Sequence, residues 1–425
     1  MKKIRLSFIF VIANISVLLA QTTKKELFDT LEKTAGVYYA YPANDIVSYT
    51  PPPKNYEAFY ISHFGRHGSR YLVNDTDYKD IFDLMKDANK NGALSDLGKD
   101  VLKRLEQVWE EVEFRGGDLS LLGEQEQRGI AERMYKLYPN VFTKDAQVDA
   151  CATTVVRVVL SMDAFSERLK ELNPSLHISR NSGIKWQQYL NHHTPEAIAF
   201  RSAKDTWKEE YNKFEAKHIN PDRLVNSLFS DSNYIIKKVN PESVMRSLFN
   251  IAGGMQNIET KVSFYDIFEK QELFDLWQCD NYRQYVNDAN SALNGGIMFD
   301  NQKPTLKNIL ESANKVILTK GKGATLRFAH DGNIIPLAML LHLDKCYNSE
   351  SDPNKFYEAW SNFKIAPMAG NIQIVFFRKN NSDDVLVKFH LHEKEIVVPQ
   401  IKTDIAPYYH WKDVEIYYNS LLPLK

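Results

Sequence analysis

Residues 64–70 contain two arginines and a histidine, namely Arg66, His67 and Arg70. A guanidinium group keeps its positive charge and offers a planar set of N–H donors that suits phosphate oxygens. An imidazole can act as nucleophile, base or acid, and nearby guanidinium charges lower its pKa and favour the unprotonated form. The stretch therefore predicts a site where Arg66 and Arg70 bind a phosphoryl group and His67 attacks it.

A second polar pair, His330 and Asp331, follows the apolar run at residues 324–329. His330 can donate to the phosphate oxygens, and Asp331 can protonate the leaving alkoxide and later deprotonate a water molecule. The alternative for Asp331 is to cap a helix that begins near Ile334. This chemistry depends on charge neutralisation and in-line positioning. We therefore expect neither a metal ion nor a cofactor, and the sequence shows no convincing metal motif.

Each of these two polar turns follows a predicted strand, at residues 58–61 and 324–329. Helical patterns alternate with apolar strands at both ends of the chain. This predicts an α/β fold whose central sheet is mainly parallel and covered by helices on both faces. Ligands of such sheets bind beyond the carboxyl ends of the strands. We therefore expect the two turns to meet at one crevice.

Residues 173–295 differ from the flanking segments because charged and aromatic residues dominate and strand signals are sparse. We interpret this range as an inserted α-helical domain, which leaves residues 22–172 and 296–425 as the α/β core. A helix is predicted over residues 121–137, with Ser120 as its N-cap. A glycine in the middle of a helix costs about 1 kcal/mol relative to alanine, so Gly129 predicts close packing against another element.

The composition is that of a globular protein of 425 residues, with 44% hydrophobic and 25% charged residues. This length suits one large or two moderate domains. The net charge of -1 gives no overall basic field, so a nucleic-acid partner is not expected. Three cysteines do not form a disulfide framework, although a single bridge remains open.

The N-terminus has the pattern of a secretory signal peptide. Residues 1–5 are positively charged, residues 6–20 are mostly apolar, and a polar stretch follows. We therefore expect a signal peptide over residues 1–21 and a periplasmic or secreted mature chain. An uncleaved membrane anchor is the alternative. No later stretch of the sequence is long and apolar enough to span a bilayer.

The segment Arg66-His67-Gly68-Ser69-Arg70 resembles the RHGxR signature of the histidine phosphatases. His330-Asp331 resembles the HD pair of their acid phosphatase and phytase branch. Residues 153–165 resemble the family's middle segment, which implies that Arg157 is a further phosphate-binding arginine. Residues 119–123 resemble the family's LTxxG helix start. The resemblance covers residues 56–398 and looks most like the bacterial multiple inositol polyphosphate phosphatase group.

This resemblance implies a phosphoglycerate mutase-like α/β core with an inserted α-domain, a phosphohistidine intermediate and phosphomonoester substrates, commonly inositol phosphates. The chain departs from the pattern at two positions. Leu72 stands where the longer signature ends in proline, and His330-Asp331-Gly332 replaces the usual His-Ala-Glu of the inositol polyphosphate group. The acid is thus placed as in ordinary acid phosphatases and phytases. Inositol polyphosphates such as phytate are the expected substrates, and sugar phosphates or nucleotides are the alternative.

Several other residues are weaker candidates. Arg180 and Lys185, near the start of the insertion, are cations that could bind a polyanionic substrate. Arg157 could instead snorkel or pair with a carboxylate. His63 is interpreted as a structural histidine, and the pair at residues 192–193 as a loop rather than a metal site.

Two other functional classes fit part of the pattern. A non-catalytic phosphate-binding protein would keep the arginines, but the presence of both His67 and Asp331 argues against it. A metabolic mutase would share the histidine chemistry, but it does not suit a secretory signal.

Overall fold

The computed structural model describes residues 23–43 and 49–422. The predicted signal peptide over residues 1–21 lies outside these ranges. No helix within the described part of the chain is long and apolar enough to cross a membrane.

One sheet of eight strands organises the described residues. In chain order the strands are β1 (Glu57–Arg66), β2 (Gln147–Ala152), β3 (His177–Ser182), β4 (Gly323–Ala329), β5 (Asn371–Arg378), β6 (Val385–Leu391), β7 (Lys394–Ile396) and β8 (Tyr408–His410). Their order across the sheet is β3-β2-β4-β1-β5-β6-β7, and β8 also pairs with β6. The first four strands of this order run parallel to one another.

The second half of the sheet is antiparallel. Strand β5 runs antiparallel to β1 and β6, and β6 runs antiparallel to β7 and β8. Residues 379–384 join β5 to β6, and this connection is shorter than the roughly dozen residues that a parallel crossover needs. The sheet is therefore mixed, and the prediction of a mainly parallel sheet is wrong for this half.

Helices cover both faces of the sheet, as predicted. They are α1 (Thr76–Lys90), α2 (Asp96–Val112), α3 (Leu121–Leu137), α4 (Val156–Leu172), α5 (Ile184–Leu190), α6 (Pro195–Ser202), α7 (Lys208–His218), α8 (Asp222–Leu228), α9 (Ser232–Lys238), α10 (Pro241–Gly254), α11 (Lys270–Asp288), α12 (Lys303–Leu318), α13 (Asp331–Leu340), α14 (Phe356–Ala359), α15 (Asn362–Ile365) and α16 (Trp411–Leu421). Short 3-10 helices include Leu31–Tyr38 and Ile297–Gln302.

Successive side chains of a strand point to opposite faces of the sheet, so the strands contribute to two hydrophobic cores, one on each face. Ile61 of β1 packs with α3 and α4 on one face, in the same cluster as Phe165. Phe64 of β1 belongs to the core on the other face, which includes apolar residues of α12, α13 and α16. The carboxyl ends of the parallel strands are therefore clamped from both sides.

A third core is helical, and it joins α1 and α2 to α8, α10 and α11. Helices α1 and α2 precede the range predicted as an insertion, yet they pack with helices inside it. Conversely, strand β3 lies within residues 173–295 but pairs with β2 at the edge of the sheet. The division of the chain into a core and an inserted domain stays a prediction.

Candidate active site

The two polar turns identified in the sequence meet at one edge of the sheet. Strands β1 and β4 are parallel neighbours in a register that pairs Arg66 with Ala329. The backbone N–H of His67 donates to the carbonyl oxygen of Ala329 over 3.1 Å. The ring centres of His67 and His330 lie 5.8 Å apart. Residues distant in sequence thus form one crevice, as expected.

His67 is held in a single tautomer suited to nucleophilic attack. Its Nδ1 lies 2.8 Å from the carbonyl oxygen of Gly68, so Nδ1 carries the proton and donates to that oxygen. The lone pair then resides on Nε2. Burial and the charges of Arg66, Arg70 and Arg157 lower the pKa of His67 well below its usual value. The imidazole is therefore neutral near pH 7.

Arg66 ends β1 and is fully buried. One terminal nitrogen donates to the carbonyl oxygens of Val37 and Ala366, the latter over 2.8 Å. Its other terminal nitrogen lies 3.6 Å from a carboxylate oxygen of Asp331. Both this nitrogen and Nε lack a hydrogen-bond partner.

Arg70 and Arg157 resemble Arg66 in one respect. Each has one N–H group that is bonded to a backbone carbonyl and another that is buried without an acceptor. Arg70 donates to the carbonyl oxygen of Tyr71 over 2.8 Å, and its guanidinium stacks 4.7 Å from the ring centre of Tyr38. Arg157, in the first turn of α4, donates to Gly117 over 3.5 Å. The Nε–H of each arginine is buried without an acceptor. Burial, together with the neighbouring Arg70 and Arg66, lowers the pKa of Arg157 to about 10.

Buried donors without acceptors are rare in proteins, and three guanidinium groups contribute them here around one histidine. Such donors match the oxygens of a phosphate group. This arrangement supports the phosphate-binding interpretation of Arg157 over simple snorkelling.

His330 stands between this cluster and the end of β2. Its Nε2 lies 3.1 Å from the hydroxyl oxygen of Thr153. Burial lowers the pKa of His330 to about 4, with Arg157 acting in the same direction and Asp331 opposing it. His330 is thus neutral near pH 7, and one of its two ring nitrogens carries a hydrogen that can be donated.

Asp331 is the first residue of α13, and His330 occupies the N-cap position. Asp331 thus lies one residue inside the helix rather than at its N-cap, and its carboxylate accepts from the Gly332 backbone N–H in the first turn. Burial acts to raise the pKa of Asp331, but Arg66 and Arg70 outweigh it and lower the pKa to about 2. Asp331 is a carboxylate in the free protein.

Two neighbouring residues of α3, which the sequence analysis did not single out, hold the turn after β1. The carboxylate of Glu126 accepts from the Ser69 backbone N–H over 2.7 Å and from the Ser69 hydroxyl over 2.9 Å. The amide of Gln127 donates to the Arg66 carbonyl oxygen over 2.9 Å. No spacing rule marks these residues, because their role depends on how α3 packs against the turn.

The start of α3 also approaches this turn more closely than a side chain allows. A Cβ atom on Gly123 would lie 2.1 Å from the carbonyl oxygen of Ser69, and one on Gly68 would lie 2.2 Å from that of Gly123. Gly129, by contrast, would meet only the flexible end of Arg133. The close packing expected at Gly129 is therefore found at Gly123.

The weaker candidates lie on β3 or just after it, and the carboxyl end of β3 reaches Thr153 through the Ser182 hydroxyl. Arg180 is on edge strand β3 and pairs with Asp163 over 2.5 Å, and Lys185 lies 5.5 Å from the ring centre of Trp186. His193 is 3.2 Å from Arg201, and no cluster of metal ligands occurs among the described residues. His63 is buried between Phe165 and Phe328, as suits a structural residue.

A cavity of about 420 Å³ lies against Asp331 and Gly332. It is bounded by residues 34–38 and by side chains of α1, α10 and α11. Val37 and Tyr38 line this cavity and also contact Arg66 and Arg70. The cavity is therefore continuous with the surroundings of the three arginines, on the side of Asp331.

Comparison with known proteins agrees with this geometry. A family model described as the histidine phosphatase superfamily (branch 2) matches residues 63–392. No match is found among curated protein sequences. Among solved structures, the multiple inositol polyphosphate phosphatase of Bifidobacterium longum in complex with phosphate aligns with a TM-score of 0.74 at 18% identity, covering 92% of this chain and 99% of that one.

Two phytases share the fold at lower similarity. The phytase from D. castellii aligns with a TM-score of 0.62 at 14% identity, covering 92% of this chain and 85% of that one. The Citrobacter braakii phytase gives 0.55 at 12% identity, covering 86% and 98%. The family match spans more than half of the chain and confirms the resemblance read from the sequence. The protein therefore belongs to branch 2 of the histidine phosphatase superfamily and is a phosphoric monoester hydrolase.

Proposed function

We propose that this protein hydrolyses phosphomonoesters through a phosphohistidine at His67, with inositol phosphates as its substrates. The observation that carries the proposal is the neutral imidazole of His67, whose Nε2 is free to attack, beside buried N–H donors of three arginines that lack acceptors. Arg66, Arg70 and Arg157 bind the phosphate oxygens, and His330 adds a further donor.

In the first step, Nε2 of His67 forms a bond to phosphorus while the bond from phosphorus to the ester oxygen breaks. Asp331, a carboxylate in the free protein, takes up the proton of the bound substrate monoanion and passes it to the leaving oxygen, so an alcohol departs. The arginines stabilise the charge that builds up on the oxygens.

In the second step, Asp331, now a carboxylate, takes a proton from a water molecule that attacks the phosphorus. The bond between phosphorus and Nε2 breaks, inorganic phosphate leaves, and His67 is regenerated as the neutral tautomer. The hydrogen bond from Nδ1 to Gly68 keeps that tautomer in place throughout.

The substrate class follows from the relatives. The B. longum protein is named a multiple inositol polyphosphate phosphatase, and other structural neighbours are named phytases. The alternative substrates are sugar phosphates or nucleotides, since His330-Asp331-Gly332 places the acid as in general acid phosphatases.

Trapping of the intermediate tests the proposal. A brief exposure to 32P-labelled substrate, followed by alkaline quenching, should leave label on His67, and His67→Ala should abolish both label and turnover. Saturable phosphate binding with neither label nor turnover would instead identify a non-catalytic phosphate-binding protein.

We further propose that the chain is exported and that residues 173–295 act as a cap over the site. The charge and apolar pattern of residues 1–21 supports export, and cavity-lining residues of α10 and α11 support a cap. The N-terminal sequence of protein recovered from periplasm or medium checks the first point, with cleavage after residue 20 or 21 expected.

A further inference from the structure

The cavity beside Asp331 is where the alcohol part of a substrate must lie. This placement rests on the proposed function, because a residue that protonates the leaving oxygen faces the leaving group. The 420 Å³ cavity includes Asp331 and Gly332 in its wall. The side chains of this cavity therefore decide which alcohols are accepted.

Carboxylates dominate the charged part of the wall. Besides Asp331 they are Asp77, Asp280 and Asp288, and Arg283 is the single cationic side chain among the described residues that line the cavity. Arg283 already lies 3.8 Å from Asp280. Asp288 is paired over 2.6 Å with Arg201, which stands behind the wall.

The rest of the polar wall is uncharged. It consists of side-chain amides that both donate and accept hydrogen bonds, contributed by Asn250, Gln284, Asn287 and Asn362. Groups of this kind suit hydroxyl groups better than phosphates, which are acceptors only when fully ionised.

The charges around the site suit the reacting phosphate but not a second phosphate on the same substrate. Three guanidinium groups less the carboxylate of Asp331 leave two positive charges, and these are neutralised by one phosphate monoester, which carries about −1.5 to −2. The alcohol part then meets the carboxylates of Asp77 and Asp280, and that of Asp288 above its raised pKa of about 6. Asp288 engages Arg201 over 2.6 Å, and Arg283 faces Asp280 at 3.8 Å. An additional phosphate in this cavity finds one cation among the described lining residues, Arg283, and must compete with Asp280 for it.

The rim beside Gly117 and Arg157 adds one cation, which is already engaged. Gly117 lies between Arg157 and the Val73 carbonyl oxygen. The exposed side chains near it include Val73 and Val156, and Arg115 contacts Glu111 over 3.1 Å and the ring of Tyr71.

We propose that the cavity selects phosphomonoesters whose alcohol part carries hydroxyl groups and few further phosphates. Within the inositol phosphates, the lightly phosphorylated members are then the preferred substrates, and the hexakisphosphate is the poorest. Like charges brought together in a binding site cost enough free energy to produce such a preference.

The experiment compares kcat/KM for myo-inositol 1-phosphate and myo-inositol hexakisphosphate at one ionic strength, because salt screens the effect. For the natural protein we expect the monophosphate to be favoured at least about tenfold. Asp77→Asn and Asp280→Asn should each raise the ratio of hexakisphosphate to monophosphate kcat/KM several-fold. Asp280→Asn should act more strongly, because it also frees Arg283.

Asp80→Asn is the matched control, since Asp80 lies on α1 with Asp77 but is exposed and does not line the cavity. It should leave the ratio unchanged. A natural protein that prefers the hexakisphosphate, or cavity variants whose ratio equals that of the control, would overturn the inference and leave the phosphatase mechanism standing. Turnover of neither ester, with no labelled His67, would overturn the proposed function and this inference with it.

Discussion

Replacement of Asp331 by asparagine tests proton donation in the first step of the reaction, the transfer of the phosphoryl group to His67. The asparagine side chain has nearly the same shape but cannot give up a proton at the required moment. For alkyl phosphates, whose alkoxide is a poor leaving group, the rate of phosphoryl transfer to His67 should fall about 100- to 10,000-fold, the usual contribution of a general acid. For esters of p-nitrophenol the rate of this first step should fall less than about tenfold, because that leaving group departs as a stable anion. Hydrolysis of the phosphohistidine, where Asp331 acts as the base, should slow equally for both esters.

The structure adds a second effect that moves in the opposite direction. Asp331 lies 3.6 Å from Arg66, and its loss raises the charge of the cluster from two to three. Phosphate oxygens should then bind more tightly, so KM for p-nitrophenyl phosphate should fall and inhibition by inorganic phosphate should increase.

The pKa of Asp331 also predicts where its proton comes from. A pKa of about 2 leaves roughly one carboxyl in a thousand protonated at pH 5 in the free protein. Binding of a phosphate anion neutralises Arg66 and Arg70, which removes the cause of that low value. The substrate monoanion should therefore deliver the proton, so kcat/KM for alkyl phosphates should rise as the pH falls through about 6, the second pKa of a phosphate ester.

The assay follows phosphohistidine formation in a single turnover of natural and Asp331→Asn protein on glycerol 2-phosphate and p-nitrophenyl phosphate, with steady-state kinetics for KM and circular dichroism to confirm folding. Equal losses in the rate of phosphohistidine formation on the two esters in a folded variant would refute the acid role of Asp331. A rise in KM for p-nitrophenyl phosphate would refute the charge argument.

Three further predictions concern the imidazoles and the glycines. Burial and the arginines lower the pKa of His67, and burial lowers the pKa of His330 to about 4. The value of kcat/KM should therefore not decrease as the pH falls through 6.5. A decrease centred near pH 6.5 would show that His67 titrates normally. His63 is buried, neither of its ring nitrogens has a hydrogen-bond partner, and burial lowers its pKa to about 3. Between pH 6.5 and 3 the unfolded chain therefore binds a proton at His63 that the folded chain does not. The free energy of unfolding consequently falls as the pH falls through this range. His63→Phe should weaken that dependence by about 2 kcal/mol between pH 6.5 and 5, measured by urea unfolding; an unchanged dependence would contradict this account. Gly123→Ala should destabilise the protein by about 1–3 kcal/mol and impair turnover, because the added Cβ would overlap the Ser69 carbonyl oxygen. Gly129→Ala on the same helix is the control and should be neutral or stabilising by up to about 1 kcal/mol. Similar effects of the two replacements on stability and kcat would show that the close approach at Gly123 is unimportant.

The meeting of His67 with His330 and Asp331 could be predicted from the sequence because each turn lies where a strand ends. Strand β1 leads into His67 and strand β4 into Asp331, and parallel neighbours bring such ends together. The helix over residues 121–137 with Ser120 as N-cap was equally readable, since the Ser120 hydroxyl accepts from the Gly123 N–H.

Features that depend on tertiary packing could not be predicted in this way. Strand β3 is mostly exposed at the edge of the sheet and lacks an apolar pattern, so it was included in the helical range. The antiparallel half of the sheet follows from its short connections. Hydrophobic periodicity predicts that a segment is a strand but does not show in which direction the strand runs. Glu126 holds Ser69 only because α3 packs against the turn, and the acidic cavity wall collects residues from α1, α10 and α11.

The pairing of β1 with β4 brings together segments separated by most of the chain. Loop closure over such a distance costs entropy, so we expect this contact to form late, after contacts that are closer in sequence. The residues of the candidate site are then brought together only by long-range pairing. Enzymatic activity should consequently report completion of folding for the whole chain, and recovered activity during refolding should appear together with the slowest structural phase.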